Sequence, residues 1–364
     1  MSVSAKDLHV IRCYERLPPL PGGMERHIAE LTAAQRRQGV RVTEIYNRGE
    51  PAGEAIRLWR GLEVDRIRPY WLRAALFYLA AAHRHLVPGD ARFRVVHVHG
   101  DWPAFLFGSI MARAIGADAI AASLHSTTHA PIGRYKWALR RCDPVFTTGA
   151  RQARQLSEAL GRPVLHVPSA PADLFFEPAR SVREAVDVVA VGSLLPVKNL
   201  ELFLECAGLR PDLKFAIIGT GPEGEPLRRR AAKLRLQNVE FLGAMTAEQV
   251  RSVLRSARLF MNTSLTEGSP TAALEAMACG LPVVLTPGND YGAIVDQGVT
   301  GRVTNGWDAK ELVEAVDELL RNPHGLGQAK AGARRIARLH RWKVKAEIVT
   351  SAMIEAAEKG RGWR

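Results

Sequence analysis

Cysteine is scarce in this chain of 364 residues, which contains only Cys13, Cys142, Cys206 and Cys279. Their spacing matches neither a metal site nor a disulfide framework, a pattern typical of a reducing compartment. No hydrophobic run reaches the roughly 20 apolar residues that a membrane-spanning helix needs. The segment 1–7 has no basic region followed by an apolar core, so no signal peptide is expected. The sequence therefore predicts a cytoplasmic protein without a transmembrane span.

Several common motifs are missing as well. The chain contains no internal repeat, no low-complexity segment and no Gly-x-Gly-x-x-Gly fingerprint, so a dinucleotide cofactor is not indicated. His99, His125 and His129 suggest a metal at first sight, but no Asp, Glu or Cys partner has suitable spacing. We therefore predict no bound metal and no cofactor.

Acidic residues are outnumbered, and the net charge of +13 is distributed unevenly. Residues 1–177 carry about +8 and residues 328–364 about +7, whereas residues 178–327 carry about −2. Such a basic surface could bind an anionic membrane or nucleic acid, or it could serve solubility alone. Nucleic acid is not favoured, because the arginines belong to no recognisable reading module. The membrane surface and plain solubility both remain open.

A predicted helix over Tyr70–Val87 bears on the same question. It carries Trp71 and several other aromatic and aliphatic residues. Arginines surround it in the sequence: Arg57, Arg60, Arg66, Arg68, Arg73, Arg84, Arg92 and Arg94. Apolar residues beside a basic rim are typical of an interfacial membrane element, but also of a helix packed on a sheet with solvated arginines.

Strands and helices alternate along the chain in two series. The first begins with a strand at Leu8–Tyr14, a loop ending in Pro21-Gly22-Gly23, and a helix. The second restarts with a strand at Val186–Val191, after the proline-rich segment Pro168–Ser181. This pattern predicts two doubly wound α/β domains, residues 1–177 and 178–340, with a cleft between them. Ligands of such sheets bind beyond the carboxyl ends of the strands, where His99 and His125 are expected.

The stretch Leu265–Val284 says most about function. It reads as a polar loop that opens into a helix, with Ser269 as N-cap and Pro270 in the first helical position. The exposed amides at the start of that helix favour a phosphate. Glu267 precedes the helix and Glu275 lies in its second turn. Two carboxylates beside a phosphate seat could hold the hydroxyls of a nucleotide-sugar.

In its context, Glu-Gly-x-Pro followed by Glu-Ala-Met-Ala-x-Gly-x-Pro-Val-Val, this pair resembles the Glu-x7-Glu signature of the retaining glycosyltransferases of family 4 (glycosyltransferases group 1). That resemblance implies the GT-B fold, in which two Rossmann-like domains face a cleft. It also implies that the segment 341–364 packs back onto the first domain through a helix near Trp342–Ala357. The implied reaction moves a sugar from a nucleotide diphosphate donor to an acceptor hydroxyl with retained configuration and without a metal.

The resemblance also assigns roles to residues. Glu267 would bind the donor sugar, Glu275 the ribose, and His125 the sugar and acceptor side. Lys198 would neutralise the diphosphate, but Ser193 stands where the family has an arginine. The implied catalytic residues are His125, Glu267 and Lys198. The other implied donor-binding residues are Gly22, Gly23, Ser193, Gly221, Ala244, Met245, Gly268, Ser269, Pro270, Thr271 and Glu275.

Two other functions stay open from the sequence. A nucleotide-sugar epimerase with the GT-B fold would need no acceptor. A catalytically silent binding protein, for nucleotide-sugar or nucleic acid, would fit the loss of the arginine at Ser193. If the chain is a transferase, we expect a glycan or lipid-linked acceptor, a role in cell-surface polysaccharide or glycolipid synthesis, and a location in the cytoplasm or on the inner face of the membrane. The base, the sugar and the linkage are not encoded in any recognisable motif.

Overall fold

The computed structural model describes residues 4–18, 23–59, 67–84, 91–125, 131–177, 185–267, 269, 271–288, 294–321 and 323–360. The chain divides into two compact units. Unit 1 comprises Met1–Ser169 with Trp342–Arg364, and unit 2 comprises Ala170–Arg341. The sequence-based boundary at residues 177 and 178 thus lies slightly beyond the division between the units.

Unit 1 is built on a seven-stranded parallel sheet in the order β3-β2-β1-β4-β5-β6-β7. The central strand β1 pairs with β2 and with β4, so that Ile11 lies opposite Thr43 and Val96. The sheet is parallel because the connections between its strands return the chain to the same edge. The strands are Leu8–Cys13 (β1), Arg41–Tyr46 (β2), Ala55–Arg57 (β3), Phe93–His99 (β4), Ala119–Leu124 (β5), Val145–Thr147 (β6) and Leu165–His166 (β7).

In the described part of unit 1, five α-helices lie between the strands along the chain, and a sixth comes from the end of the chain. The last helix, α12, packs on α1, β4 and β5, as the resemblance implies for the end of the chain. The helix predicted over Tyr70–Val87 begins at Tyr70, and residues 85–87 lie outside the described part of the chain. The helices are Gly23–Arg37 (α1), Tyr70–Arg84 (α2), Trp102–Ala114 (α3), Ile132–Leu139 (α4), Ala150–Leu160 (α5) and Trp342–Gly360 (α12).

Unit 2 has a six-stranded parallel sheet in the order β10-β9-β8-β11-β12-β13. Its edge strand β13, Gly301–Val303, was not predicted, because a strand of three residues that follows a turn is too short to show a clear strand pattern. The strands are Val186–Val191 (β8), Phe215–Ile218 (β9), Val239–Gly243 (β10), Ala257–Asn262 (β11), Val283–Leu285 (β12) and Gly301–Val303 (β13). The helices are Leu200–Leu209 (α6), Gly224–Lys233 (α7), Ala247–Ser256 (α8), Thr271–Cys279 (α9), Ala309–Arg321 (α10) and Pro323–Leu339 (α11).

Both sheets have the strand order of a doubly wound α/β fold, and in both the order reverses beside the first strand. The reversal lies between β1 and β4 in unit 1 and between β8 and β11 in unit 2. Loops that leave the two strands at such a point diverge, which opens a crevice for a ligand. Across the described residues, no helix is both long and apolar enough to cross a membrane.

Candidate active site

An ion pair marks the reversal point of unit 2. Lys198 follows β8 and Glu267 follows β11, and the ammonium Nζ contacts the carboxylate Oε1 of Glu267. The same oxygen accepts hydrogen bonds from Asn262 Nδ2 at 3.1 Å and from Ser264 Oγ at 2.8 Å. Both side chains are largely shielded, with 24% of Lys198 and 12% of Glu267 exposed. The carboxylate is therefore held in one orientation before any ligand binds.

The loop after β11 is held by its own hydrogen bonds. Ser264 donates its backbone N–H to Asn262 Oδ1 at 2.8 Å, and its carbonyl accepts from Trp307 Nε1 at 3.0 Å. Thr263 Oγ1 donates to the carbonyl of Lys198 at 2.9 Å, which joins this loop to the loop after β8. The two partners of the ion pair are thus fixed to each other through side chains and through backbone.

A small hollow opens at these strand ends. Its lining includes Gly192, Ser193, Lys198, Asn262 and Ser264. Ammonium and carboxylate groups in such a position can form charge-assisted hydrogen bonds, the ammonium with phosphate oxygens and the carboxylate with hydroxyls. Ser193, where the resemblance leads us to expect an arginine, is exposed and adds no charge here.

The helix α9 begins at Thr271 and contains the buried residue Glu275. Glu275 is only 5% exposed. The backbone N–H of Thr271 donates to the carbonyl of Ser269 at 2.9 Å. Gly268 and Pro270 lie outside the described residues, so the predicted N-cap at Ser269 stays a prediction. The predicted end of the helix is confirmed, because Gly280 follows Cys279 with a φ of +91°.

Two predicted glycines differ in what their surroundings demand. A Cβ on Gly221 would lie 2.4 Å from the carbonyl oxygen of Leu194, so packing within unit 2 already requires glycine there. A Cβ on Gly23, the exposed first residue of α1, would meet nothing within 4 Å. Packing of the described chain therefore does not explain Gly23. Gly22 lies outside the described residues.

The remaining donor-binding predictions fall in the loop after β10. Ala244 is exposed, and Met245 is half-buried against the core of unit 2. The backbone N–H of Gly219, after β9, donates to the carbonyl of Gly243 at 2.8 Å. The start of the loop after β9 is thus joined through backbone to the end of β10.

Unit 1 contains a buried histidine cluster at its own strand ends. His97 and His99 lie at the end of β4, His125 follows β5, and His27 lies on α1. His99 Nδ1 lies 2.8 Å from His125 Nε2, and the His97 and His99 ring centroids are 4.1 Å apart. His27 contacts the edge of the His125 ring, with ring centroids 4.5 Å apart.

Burial keeps this cluster uncharged. It lowers the pKa of His125 to about 3. It also lowers the pKa values of His27, His97 and His99 well below 6.5, and the nearby Arg12 guanidinium lowers them further. A neutral imidazole can donate one hydrogen bond and accept one, but it carries no charge for a phosphate.

The buried Arg12 supports the cluster from β1. Its guanidinium donates to Thr32 Oγ1, to Gln35 Oε1 and, at 3.4 Å, to His97 Nδ1. Burial lowers the pKa of Arg12 to about 10, against the opposing effect of the Glu44 carboxylate. Sequence reasoning selected His99 and His125 but missed Arg12, His27 and His97. The available signal was an arginine within an apolar strand and a Val-Val-His-Val-His strand that places both histidines on one face.

Among the described residues, no group of three or more His, Cys, Asp and Glu side chains could hold a metal ion. The histidine cluster is instead packed ring against ring and bonded to itself.

Two family models match the chain, one in each half. Residues 21–170 match the model described as Glycosyltransferase Family 4, and residues 174–337 match Glycosyl transferases group 1. Together the two matches take in most of the chain.

Curated relatives are similar over part of their length. The chain is 32% identical over 184 residues to D-inositol 3-phosphate glycosyltransferase of Mycolicibacterium smegmatis, covering 46% of this chain and 42% of that protein. It is 38% identical over 131 residues to a phosphatidylinositol N-acetylglucosaminyltransferase component from Arabidopsis thaliana, covering 34% and 29%. The matched region spans less than half the length of these relatives.

Solved structures are similar over nearly the full chain. Sucrose-phosphate synthase from Thermosynechococcus elongatus has a TM-score of 0.77 at 16% identity, over 96% of this chain and 98% of that one. Anabaena HepE in complex with UDP has a TM-score of 0.74 at 16% identity, over 96% and 100%. These similarities confirm the predicted GT-B fold.

Proposed function

The chain belongs to the group 1 glycosyl transferases of glycosyltransferase family 4, and on that premise we propose that it moves a sugar from a nucleotide diphosphate sugar to an acceptor hydroxyl with retained configuration. Glu267 binds the hydroxyls of the donor sugar, and Glu275 binds the ribose. Lys198, Gly23 and the amides at the start of α9 bind the diphosphate. His125 is the remaining residue that we assign to the sugar.

The observation that carries this proposal is the paired arrangement of Lys198 and Glu267 at the reversal point of the second sheet. A donor has an anionic diphosphate next to a hydroxyl-rich sugar. The ammonium and the carboxylate supply the matching partners side by side, and Asn262 and Ser264 hold the carboxylate in place. Related structures with UDP and with UDP-glucose bound, those of Anabaena HepE, make a uridine donor a reasonable first choice.

In the proposed step, the acceptor oxygen attacks the anomeric carbon on the face that the diphosphate leaves. The bond between that carbon and the phosphate oxygen breaks, and the acceptor proton passes to the departing phosphate. Charge that develops on the phosphate is stabilised by Lys198 and by helix amides, which act best when fixed in advance. Ser193 supplies no second cation, so we expect a slow enzyme. Because Lys198 carries the positive charge, transfer should continue in EDTA.

The first experiment is a thermal-shift panel of nucleoside diphosphates and their sugars. A ligand at 100 times its Kd stabilises the folded state by about 2.7 kcal/mol, which is a readily measured shift. Glu275→Ala should abolish the shift from the preferred donor, whereas Glu248→Ala on the exposed face of α8 should preserve it. An undiminished shift in Glu275→Ala would remove the ribose role.

The second experiment adds acceptors to the donor that binds. Transfer with retention, followed by the anomeric proton signals of the product, supports the proposal. Conversion of the donor without any acceptor would identify an epimerase instead. Binding without either reaction would identify a silent binding protein.

For the acceptor, we propose a lipid-linked or membrane-bound glycan, reached from an anionic membrane surface. The helices α2, α3 and α4 pack side by side and contain no Asp or Glu. They expose large apolar side chains: 50% of Trp71, 57% of Leu79 and 46% of Trp137. Exposed cations accompany them, namely Arg113, Arg134 and Lys136. Tryptophan and leucine beside cations suit an interface with anionic lipid.

Flotation with liposomes tests this surface. At low salt the protein should float with vesicles that contain anionic lipid and remain below with neutral vesicles. The double variant Trp71→Ser, Leu79→Ser should lose flotation, and the matched variant Ile348→Ser on α12, also an exposed apolar residue, should not. Failure of the native protein to float on anionic vesicles would contradict the membrane proposal and leave the transferase proposal intact.

A further inference from the structure

The hydrogen-bond partners within the histidine cluster bear on which nitrogen of His125 carries the proton. A neutral imidazole has one N–H and one bare nitrogen, and hydrogen-bond partners decide which is which. The partners of His97, His99 and His125 are all defined by short distances within unit 1. The protonation of each ring can therefore be assigned from its own partners.

The first ring is oriented by Arg12. A guanidinium can only donate, so His97 Nδ1, which lies 3.4 Å from Arg12 Nη2, is the accepting nitrogen. The proton of His97 must then be on Nε2, where it is donated to Ser123 Oγ at 2.7 Å.

The next two rings share one hydrogen bond. His99 Nδ1 and His125 Nε2 are 2.8 Å apart. The rings are nearly coplanar, with an interplanar angle of 20° and centroids 5.1 Å apart, which is the geometry of an in-plane N–H···N bond. One of the two nitrogens carries the proton and the other accepts it.

The far side of His99 decides between these two arrangements. His99 is 2% exposed, and its Nε2 is buried without a hydrogen-bond partner in the described part of the chain. If His125 donated, His99 Nε2 would be a buried N–H with no acceptor. If His99 donates, Nε2 is only a bare lone pair. Buried orphaned N–H groups are the rarer case, and the nearby positive charge of Arg12 also favours a lone pair.

We propose that His99 is a positioning residue that donates from Nδ1 to His125 and thereby fixes His125 with its proton on Nδ1. In that form His125 presents an N–H donor on the ring nitrogen that faces away from His99. It can donate to an oxygen of a ligand, such as a sugar hydroxyl or a phosphate, and it cannot take a proton from an acceptor. This role of His125 toward a ligand rests on the proposed function, but the protonation of the free protein does not.

The test uses the full chain labelled with ¹⁵N-histidine and long-range ¹H–¹⁵N correlation spectra, which distinguish the two neutral forms of each imidazole. We expect His125 to be protonated on Nδ1 in the free native protein. In His99→Phe, which keeps a ring but removes the donor, we expect His125 to change to the Nε2–H form. The control His83→Phe, at an exposed position of α2, should leave the His125 signals unchanged.

An Nε2–H form of His125 in the native protein overturns the proposal, even if His99→Phe does not fold. An unchanged His125 form in folded His99→Phe also overturns it. If a donor substrate is identified, His99→Phe should lower kcat about tenfold, since one fixed hydrogen bond is worth roughly that factor, with little change in KM. If no donor binds, the proposed function fails while the spectra still decide the protonation of His125.

Discussion

The two sheets of this protein share a strand order but bury different side chains. The fifth residue of the central strand is Arg12 in β1 and Ala190 in β8. In unit 1 the arginine belongs to a buried polar network that comprises Arg12, Thr32, Gln35, His97, His99 and His125. In unit 2 the matching parts of the two central strands, residues 188–191 of β8 and 259–261 of β11, are apolar, and the polar residue Asn262 ends β11.

The candidate site residues of the two units therefore differ in charge: those of unit 1 are neutral imidazoles, and those of unit 2 form an ion pair. Burial keeps the His125 imidazole of unit 1 neutral, with a pKa of about 3. In unit 2 the ion pair of Lys198 and Glu267 remains partly exposed to solvent. A buried polar network fixes side-chain orientation but makes the fold sensitive to the loss of any member. The stability of unit 1 should therefore be sensitive to substitution within the network and to acid. In unit 2, loss of charge at the ends of β8 and β11 should instead affect sugar transfer.

The largest effect is expected for Arg12→Met. It leaves His97, Thr32 and Gln35 without their donor, and we expect the free energy of unfolding of unit 1 to fall by about 3–5 kcal/mol. Hydrogen exchange followed by mass spectrometry measures this through peptides from β1 and β4, while peptides from unit 2 serve as internal reference. The control Arg41→Met removes an exposed pair with Glu54 and should change the free energy by less than about 1 kcal/mol. If the two variants lowered the free energy of unfolding equally, Arg12 would not have the structural role that we assign to it in the polar network.

Next in size is the effect of Lys198→Met on transfer. Removing the cation beside the phosphate should lower kcat/KM by about 10²–10³-fold, the usual effect of losing one stabilising donor at a transition state. The fold of unit 2 should be retained, as judged by thermal unfolding without ligand. Lys214→Met, at an exposed position before β9, is the matched control and should keep full activity. If Lys198→Met kept an activity within threefold of the native protein, the ion pair would have no important role in catalysis.

Acid should lower the stability of unit 1 more than that of unit 2. The histidines of the cluster stay neutral when folded but take up protons below about pH 6.5 when unfolded, so the unfolded state binds more protons there. Stability of unit 1 must then fall as the pH drops from 6.5 toward 3, by up to about 1.4 kcal/mol per pH unit for each such histidine. The strands of unit 2 contain no histidine.

Hydrogen exchange at pH 7.0 and 5.5, corrected for intrinsic exchange rates, measures this difference within one sample. Protection of β1, β4 and β5 should fall more than protection of β8 and β11. A parallel loss in both units would show that the cluster is not the source of acid sensitivity.

The smallest effect on stability is expected for Gly23→Ala. Packing does not require this glycine, and alanine is the better helix former, so the free energy of unfolding should rise by about 0.5–1 kcal/mol or less. Donor affinity should nevertheless fall, because the proposed diphosphate contact needs the bare backbone. Gly221→Ala is the contrasting variant and should destabilise unit 2, since its Cβ would lie 2.4 Å from a carbonyl oxygen. Unchanged donor affinity in Gly23→Ala would remove that glycine from the proposed site.

Much of the fold was accessible from local patterns. The strand Val186–Val191 has the boundaries that the sequence predicts, and the helix predicted over Tyr70–Val87 begins at Tyr70, because apolar runs end at turn residues. The short strand β13 carries too few residues for a pattern, and only pairing with β12 makes it a strand. Resemblance to one family supplied the Lys198 and Glu267 assignment, which composition alone would not give.

The sequence by itself determined that this chain forms alternating strands and helices in two series, since that follows from periodicity and turn chemistry over short distances. Only the tertiary structure decided that Arg12, 85 residues before His97, orients its ring, and that Lys198 and Glu267 meet across 69 residues of chain. Such contacts depend on the order in which strands join a sheet, and this order is set by burial of whole faces. A pattern within one segment therefore does not encode it.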